Sequence, residues 1–524
     1  MVVAGLAWRM ASPMRSASAG TEPPLPTAAL AANFDAGQPL HLGVRFKSGY
    51  GIGQVVESIS TVTLNTYLFF YLTNVCGLSG SLTGVALFIA LAIDAVADPL
   101  LGSFSDNLRT RWGRRVPVMT VSLVPLALAL GGLFSIPSLS GWTLFLYVFA
   151  LIVALRVSMS GFIVPYLALG AELSPDYDDR SSIVAFRVIF GIASMLIPLV
   201  LGFGTFLRGH DGLLDRAGYA RFGWVSGVLL LAAGMLASVV SLKAPPRHSS
   251  ATASREHVSR RLFGEVREVF RNPSFRRLFG GVLLFFVGQG LTGALGLDAN
   301  KYFWSLDVKQ IQTVAISLVG GLALGLPVGF ALIGRIEKRT TVLAGIAIFA
   351  IAQGAPALGQ VLGLLPPDIG VRMSILVGAG VIAGIAATLV TIAFQSALAD
   401  AVDEHEQLFG ARREGLYFAS LSFANKAATG IGSLLAGFLL DSIQFPSKAI
   451  ANGHTVAIAA GVLRHLGLVY GPAAALLTLA SLAFFSRYRL NRAMHGAIAA
   501  ALATRRPTAP SGAGTANSRS REVS

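Results

Sequence analysis

The chain has 524 residues, of which 54% are hydrophobic and only 13% are charged. A soluble protein of this size needs more charge to cover its surface, so the composition excludes that class and predicts an integral membrane protein. The net charge of +15 at pH 7 is concentrated in a few loops, which argues against nucleic acid as a partner. The single cysteine, Cys76, excludes an internal disulfide and a cysteine metal cluster.

Twelve apolar runs are each long enough to cross a bilayer, for which about 20 helical residues suffice. Six precede a charged break near the middle of the chain, at 48–75, 82–106, 116–137, 142–171, 183–207 and 221–242. Six follow it, at 278–304, 310–334, 340–362, 370–399, 415–440 and 455–486. The sequence therefore predicts an all-α membrane protein with 12 transmembrane helices in two six-helix halves.

Basic residues mark one side of the predicted membrane. They cluster in the loops after the second, sixth, eighth and tenth runs, whereas the loops on the other side carry few. Because loops rich in Arg and Lys stay in the cytoplasm, we expect both termini to be cytoplasmic. Trp142, Trp224 and Trp304 then fall at outer helix ends, where an interfacial aromatic belt would lie.

Composition divides the chain into five parts. Residues 1–44, rich in Ala, Pro and Ser, and the Arg-rich tail 488–524 are predicted to be disordered. Residues 45–242 and 278–487 are the two predicted six-helix bundles. The break at 243–277 is predicted to be a cytoplasmic linker, whose first half is equally compatible with a solvated loop. Its second half predicts an amphipathic helix on the anionic membrane surface, with apolar residues at helical spacing: Leu262, Phe263, Val266, Val269 and Phe270.

Asp94 and Asp98 lie one helical turn apart in an otherwise uncharged apolar run. A charge at the centre of a bilayer costs about 2.5–3.5 kcal/mol on insertion scales. At this spacing the two side chains share one helix face, with Cβ atoms about 5–6 Å apart, so they repel each other unless a cation or a proton lies between them. The pair predicts a cation-coupling site; the alternative is a pair of helix-end residues held in water or by an arginine.

Three stretches of the chain carry a resemblance. They are Asp94 to Arg115, which contains Asp-x-x-x-Asp-Pro-x-x-Gly and Arg-x-Gly-Arg-Arg, then Pro165 to Arg180, and Ala399 to Lys426. Together they resemble the glycoside-pentoside-hexuronide:cation symporters, the melibiose-permease branch of the major facilitator superfamily. The resemblance implies two six-helix halves related by a pseudo-twofold axis around a central cavity. It also implies cation-coupled uptake of a sugar-like solute across a bacterial inner membrane, with no cofactor and no obligate protein partner.

The resemblance gives roles to two basic residues. Lys426 matches a family lysine that lies near the paired aspartates, so it is expected to take part in cation coupling with Asp94 and Asp98. Arg187 matches a family arginine that contacts sugar hydroxyls, and its fork of donors suits vicinal hydroxyls or a carboxylate.

Four further residues are candidates for contact with the solute. Glu57 and Arg156 are charged residues inside the first and fourth predicted helices, where they could line the cavity or pair with each other. Tyr166 and Tyr417 could stack on a sugar ring, and both belong to the matching stretches.

Some positions depart from the melibiose permeases. The sugar-binding aspartates of the family correspond here to Ser58 and Val157, and an aromatic residue corresponds to Gly161. Losing two anions while keeping Arg156 and Arg187 shifts the expected solute from a galactoside toward an anionic or zwitterionic molecule, such as a hexuronide.

Charged residues at the cytoplasmic helix ends are expected to form a gate that holds this side shut when the cavity faces outward. They are Asp106, Arg111, Arg114, Glu172, Asp176, Arg180, Arg413 and Glu414. Asp298 and Lys301, near the outer end of the seventh helix, are interpreted instead as an ordinary surface pair.

Protons are the expected coupling ion, with sodium at Asp94 and Asp98 as the alternative. A sodium ion wants about five or six oxygen ligands, as other hard cations do. The positions at which sodium-coupled relatives carry further amide or hydroxyl ligands are here Ala97 and Ala154, which have no side-chain oxygen. A proton needs only one carboxylate, and repulsion between two neighbouring carboxylates favours its binding.

Two other functions stay open. Lysophospholipid transporters share the fold and the paired aspartates, and a lateral opening between the fifth and eighth helices, with a headgroup at Lys426, would favour them. A non-transporting membrane sensor or scaffold is less consistent with intact coupling residues. An enzyme is not expected, because no nucleophile, base and orienting group converge in the sequence and no metal-ligand spacing is present.

Overall fold

The computed structural model describes residues 42–505, except 175, 210, 244–266, 333–334, 452–456, 489 and 491. All regular secondary structure in these residues is helical. Eleven of the helices are long and apolar enough to cross a membrane. A twelfth apolar stretch, at the start of the described chain, is divided into shorter helical segments, so the predicted all-α class and its arrangement of 12 spans are confirmed.

The first half contains six spans. The first, α1, comprises the segments Val44–Gly51, Gln54–Thr63, Leu64–Leu68 and Tyr71–Val75. The next five are α2 (Gly80–Asn107), α3 (Val116–Leu133), α4 (Gly141–Glu172), α5 (Tyr177–Leu201, with a π-helical turn Gly202–Phe206) and α6 (Arg216–Ser241). Packing of α3 on α4 and α6, of α2 on α4, and of α1 on α5 and α6 makes one bundle.

The second half repeats this plan. Its spans are α7 (Pro273–Asp298, with a π-helical turn Ala299–Phe303), α8 (Val308–Leu332), α9 (Lys338–Val361), α10 (Ile369–Phe409), α11 (Glu414–Ser442) and α12, which comprises Ala460–Leu468, Val469–Ala473, Ala474–Ala480 and Leu482–Phe485. Here α10 packs on α8 and α9, and α7 packs on α11 and α12. The halves meet mainly where α2 lies against α11 and α5 against α8.

The contact between α2 and α11 depends on glycine. A Cβ atom at Gly437 would lie 2.0 Å from the carbonyl oxygen of Gly80, and one at Gly84 would lie 2.8 Å from the carbonyl oxygen of Ser433. At this end the carboxylate of Asp441 also accepts hydrogen bonds from the backbone N–H groups of Gly80, at 2.9 Å, and of Ser81, at 2.7 Å. We call this tightly packed end of the two halves, around Gly80 and Gly437, the closed end. The opposite end, which carries the loops at 108–115 and 410–413, is the basic end.

The region around the predicted linker differs in part from expectation. Of the predicted amphipathic residues, Leu262, Phe263 and Val266 lie outside the described residues. Val269 is fully buried in the core of the second half, so this part of the segment packs on protein rather than on the membrane surface. The seventh span then begins at Pro273 and not at 278, because Asn272 caps it by accepting hydrogen bonds from the N–H groups of Ser274 and Phe275.

Part of the predicted disordered tail is ordered. A helix, α13, spans Arg492–Arg505 and packs against α10. Ile498 and Leu502 lie four residues apart, so they share a face, and both are buried in the core of the second half. The tail was expected to be disordered because of its low complexity, but an alanine-rich segment also favours helix once an apolar face has a surface to cover.

Candidate functional site

Three charged residues meet where the two halves touch. Asp94 and Asp98 lie one turn apart on α2, and Lys426 approaches them from α11. The Nζ atom of Lys426 lies 2.8 Å from Oδ2 of Asp94 and 2.6 Å from Oδ2 of Asp98. A single ammonium group therefore bridges both carboxylates. Because α2 and α11 belong to different halves, the bridge is also a bond between the halves.

A serine on α4 completes this cluster. The hydroxyl oxygen of Ser160 lies 2.5 Å from Oδ1 of Asp94 and 2.6 Å from Oδ1 of Asp98. A hydroxyl has one hydrogen, so it donates to only one of the two carboxylates at a time. The sequence analysis missed Ser160 and looked for a fourth-helix hydroxyl at Ala154. That expectation is corrected, since α4 does supply a side-chain oxygen, one and a half turns further along.

The cluster is buried on one side and open on the other. Asp94 is buried, whereas the side chains of Asp98 and Lys426 are 26% and 24% exposed. An incoming ion therefore meets Asp98 first. The four carboxylate oxygens and the Ser160 hydroxyl are the oxygen ligands available here to a cation once Lys426 withdraws.

Arg156 lies one turn before Ser160 on α4 and is buried. It lies close enough to Asp94 for a direct electrostatic interaction. Its Nε has no hydrogen-bond partner within the described part of the chain. A buried donor of this kind has unsatisfied hydrogen-bonding capacity in this conformation.

A second polar group lies on α1 and α5. The side-chain amide of Gln54 donates a hydrogen bond to Glu57 and accepts one from Nε of Arg187 at 3.4 Å. The guanidinium carbon of Arg187 lies 5.4 Å from the centre of the Tyr166 ring, within cation–π range. Gln54, which the sequence analysis did not single out, thus joins the two predicted solute residues Glu57 and Arg187.

The two candidate tyrosines are both buried, one in each half of the protein. The hydroxyl of Tyr166 donates to the backbone carbonyl of Tyr50 at 2.9 Å, and the two rings stack 4.6 Å apart. Tyr166 thus lies behind Arg187 and supports it. Tyr417 packs on Phe275 in the core of the second half, and nine residues of α11, about 13 Å, separate it from Lys426. The structure does not bring Tyr417 to the cluster.

Three of the predicted gate residues of the first half, Asp106, Arg114 and Glu172, belong to one ion-pair group. Glu172 at the end of α4 pairs with Arg114 and, at 3.0 Å, with Arg115, which in turn pairs with Asp106 at 3.0 Å. Arg115 is the link that the sequence analysis left out of the gate. Arg111 instead lies over the ring of Trp112, with 5.4 Å from its guanidinium carbon to the ring centre.

The other predicted gate residues lie in separate places. Asp176 caps α5 by accepting from the N–H groups of Asp178 and Asp179, and Nε of Arg180 donates to the carbonyl of Ser174 at 2.8 Å. In the second half, Glu414 pairs with Arg412 at 3.2 Å, and Arg412 also pairs with Asp403 and Glu406. The hydrogen bonds that Arg412 donates to these carboxylates, above all to Glu406, raise the pKa of its guanidinium. Arg413 begins α11 as its N-cap residue.

Asp298 differs from its predicted place on the surface. The residue is completely buried, and its Oδ1 accepts a hydrogen bond from the side-chain amide of Asn74 at 2.7 Å. Lys301 does not pair with it, and its Nζ lies 5.8 Å from the centre of the Tyr302 ring. The predicted surface pair is therefore wrong, because the end of α7 that lies at the closed end is covered by α1 of the other half.

Known proteins with similar sequences are symporters. The chain is 24% identical to the uncharacterized symporter sll1374 of Synechocystis, over 86% of this chain and 94% of that one. It is 25% identical to the glucuronide carrier protein homolog of Escherichia coli, over 78% and 88%. It is 23% identical to the sodium-dependent lysophosphatidylcholine symporter 1 of Gallus gallus, over 80% and 82%.

Solved structures and family models agree with these relatives. The crystal structure of the nucleoside transporter NupG superposes with a TM-score of 0.58 at 15% identity, covering 85% of this chain and all of that one, which establishes a shared fold. Residues 49–492 match the family described as MFS/sugar transport protein. Since this match covers most of the chain and the relatives are symporters, the protein belongs to that family, in its glycoside-pentoside-hexuronide branch, and has the major facilitator fold.

Proposed function

We propose that the protein is a cation-coupled symporter of a sugar-like solute that works by alternating access. The observation that carries the proposal is the bridge from Lys426 on α11 to Asp94 and Asp98 on α2. The bridge joins the two halves at the only carboxylate pair within α2, so a cation that binds these carboxylates competes directly with a bond between the halves. Cation binding and movement of the halves are thereby coupled.

The coupling step follows from charge. Without a bound cation, Lys426 neutralises the carboxylates and holds α11 against α2. A cation at Asp98 takes over that neutralisation and frees the ammonium group from at least one carboxylate. The free-energy difference between the two orientations of the halves then changes. Asp98 and Lys426 are each about one quarter exposed, so their pair contributes less than a fully buried ion pair and more than a surface pair of about 0–1 kcal/mol. Exchange of Lys426 for a cation therefore shifts the conformational equilibrium.

The proposed ion is a proton, with sodium as the alternative. Lys426 bridges the two Oδ2 atoms and Ser160 bridges the two Oδ1 atoms, so each oxygen pair is already occupied by a donor. A proton needs one oxygen of Asp98 and leaves the Ser160 contacts in place. A sodium ion needs about five or six oxygens together, so Lys426 would have to withdraw from both carboxylates and Ser160 would have to turn its hydroxyl lone pairs to the ion.

The proposed solute is an anionic or zwitterionic sugar, such as a hexuronide. Arg187 with its partner Gln54, and the buried Arg156 with its unpartnered Nε, offer donor groups for hydroxyls or a carboxylate. The relative named as a glucuronide carrier homolog is consistent with this class.

The proposed location is a bacterial inner membrane, with the basic end and both termini in the cytoplasm. In this orientation the closed end faces outward. Asp98 and Lys426 then communicate with the cytoplasm, so the structure corresponds to the inward-facing state of the cycle.

The second candidate is transport of a lysophospholipid, suggested by the lysophosphatidylcholine symporter among the relatives. A lipid requires a lateral opening between α5 and α8. In the structure these helices pack together, and the side chain of Gln312 on α8 donates to the carbonyl of Leu199 on α5 at 3.5 Å. This contact lies at the closed end and leaves no lateral opening there between the described residues of the two helices, which favours the soluble solute.

The test is uptake by purified protein in liposomes. Radiolabelled glucuronides, neutral glycosides and lysophosphatidylcholine are compared under an inward proton gradient without sodium, and under an inward sodium gradient at constant pH. The proposal expects accumulation of a glycoside-class solute driven by the proton gradient. Uptake of the lipid alone would support the second candidate. Stimulation by sodium without a response to the proton gradient would show that sodium, and not the proton, is the coupling ion. If no solute is taken up, the remaining interpretation is a membrane sensor or scaffold.

A further inference from the structure

The closed end contains a buried carboxylate that the proposed coupling site does not use. Asp298, at the last turn of α7, is completely buried. Its Oδ1 accepts a hydrogen bond from Nδ2 of Asn74 on α1, and its Oδ2 has no hydrogen-bond partner in the described part of the chain. The two residues belong to different halves, so this contact exists only while the closed end is shut.

The orientation of the Asn74 amide follows from its other neighbour. The hydroxyl of Thr73 donates to the backbone carbonyl of Phe69 at 3.0 Å, so its oxygen can only accept from Asn74. Nδ2 of Asn74 therefore faces both Thr73 and Asp298, as a donor to each. Among the described residues, the Asn74 amide is the one side-chain donor to Asp298, and it is neutral.

The charged and titratable groups around Asp298 do not compensate a negative charge. On α7 itself, Lys301 points to the Tyr302 ring. On α6, Arg216 donates to the carbonyls of Ile136 and Pro137. On α11, Asp441 caps the start of α2.

Tyr219 and Tyr302 interact electrostatically with Asp298, and neither supplies a positive charge. Two other cations at this end are engaged elsewhere: Arg221 pairs with Asp215, and Arg208 donates to the carbonyl of Gly204. Further titratable groups at this end include Tyr71, Cys76, Tyr470, Asp211 and Lys448.

A buried carboxylate with one neutral donor and no cation is far more stable as the uncharged acid, because an ionised group loses its hydration without gaining a partner. When the halves separate at the closed end, Asn74 moves away with the first half and Asp298 meets water, where the ionised form is favoured. Proton binding and closure of this end are therefore linked through one residue.

We propose that Asp298 is a second proton-binding site, which holds the closed end shut while protonated and favours its opening once ionised. This inference rests on the proposed orientation, in which the closed end faces the outside. It does not require Asp98 to be the coupling site, since Asp298 lies on α7 and makes its contact with α1.

The chain carries its own reporter for the test. Cys76, its single cysteine, lies just beyond α1, two residues after Asn74. The thiol is partly buried, and burial raises the pKa of Cys76 to about 11, which keeps it weakly reactive while the closed end is shut. Opening this end exposes the thiol to a membrane-impermeant maleimide added outside.

Labelling of Cys76 in intact cells is measured from about pH 6 to about pH 9 outside, in the otherwise native chain and in Asp298→Asn. Dividing the two rates at each pH removes the ordinary pH dependence of the thiol. The ratio is expected to lie near one at low pH and to rise with pH, by at most about tenfold per pH unit for release of one proton. A ratio that stays constant overturns the proposal.

Two further variants test the proposal even if Asp298→Asn misfolds. Asn74→Ala removes the single donor and a contact between the halves, so labelling should rise at every pH and still depend on pH relative to Asp298→Asn. Asp298→Glu keeps a titrating group and should keep a rising ratio. If Asp298→Asn itself does not accumulate in the membrane, the labelling rate of Cys76 in each of the other two variants is divided by the rate in the same variant after denaturation. Labelling rates that do not depend on pH in either variant then overturn the proposal.

If the closed end faces the cytoplasm and not the outside, the labelling pattern is different. In that case a membrane-permeant maleimide labels Cys76 while the impermeant reagent labels it in none of the variants. A constant ratio together with ready labelling from outside counts only against Asp298.

Discussion

Lys426 and Asp98 form an ion pair of 2.6 Å between α11 and α2, and so between the two halves of the protein. Both side chains are about one quarter exposed, so water and ions reach the pair. Asp94, behind them, is buried and shares the same ammonium group and the same serine hydroxyl. Of the two carboxylates that share these donors, Asp98 is therefore the one that solvent reaches.

Asp98→Asn is expected to abolish accumulation of the solute against a gradient while leaving exchange of solute across the membrane intact. An amide cannot bind a proton or neutralise a cation, but it preserves the shape of the site. Uphill uptake and counterflow exchange in liposomes measure the two activities. Asp98→Glu, which retains a carboxyl group, should retain part of the uphill uptake. Full accumulation by Asp98→Asn would show that coupling occurs elsewhere.

Ser160→Ala is expected to shift the pH dependence of uptake to higher pH. Its hydroxyl stabilises the ionised carboxylates, and a hydrogen bond to a charged group contributes about 1.5–3 kcal/mol. Without this hydrogen bond a proton competes better for the site, so proton-driven uptake should continue at a higher pH than in the native chain.

The control for this change is Ser158→Ala, on the same helix but outside the cluster. A sodium-coupled carrier would respond differently, because Ser160 would be a ligand. Its half-maximal sodium concentration would rise, and its pH profile would not move to alkaline values. Initial rates of uptake as a function of pH and of sodium concentration distinguish the two outcomes.

The sequence predicted some parts of this cluster and not others, for physical reasons. Asp94 and Asp98 were visible because one helix and a spacing of four place them on one face. Lys426 lies more than 300 residues away in the chain, and only the resemblance connected it to the pair. Ser160 carried no signal, since a single serine in an apolar helix is compatible with many surroundings.

The same limit applies to burial. Asp298 appeared to be a surface residue because it lies at the end of an apolar run, where water is normally near. What covers it is α1 of the other half, and the relative position of two bundles is not encoded in the periodicity of either. The number of spans, by contrast, depends only on the length and apolar character of each run, which the sequence shows directly.

Glu172→Gln is expected to favour the inward-facing state. In this structure Glu172 pairs with Arg114 and Arg115 within the first half, at the basic end. We propose that this group also meets the second half, and so closes the cytoplasmic side, when the cavity faces outward. Partly exposed pairs contribute about 0–1 kcal/mol each, so the equilibrium should move by no more than about fivefold per pair lost.

The measurement is labelling of Cys76 from outside, which should fall as the outward-facing population falls. Asp368→Asn is a suitable control, because this carboxylate caps α10 on the exposed surface and does not belong to the ion-pair group. Unchanged labelling in Glu172→Gln would exclude Glu172 from the gate.

Gly437→Ala is expected to open the closed end. The added Cβ atom would lie 2.0 Å from the carbonyl oxygen of Gly80, which is backbone and cannot rotate away. Inserting a methyl group into a packed contact of this kind typically costs about 1–3 kcal/mol, and only the state in which α2 and α11 touch here bears that cost. The population with the closed end open should therefore rise by about fivefold or more.

Labelling of Cys76 measures this open population. Gly415→Ala is the matched control, because Gly415 lies on the same helix and no atom lies within 4 Å of its Cβ position. Equal labelling in the two variants, at normal levels in the membrane, would mean that α2 and α11 stay together throughout the cycle and that the halves separate along α5 and α8 instead.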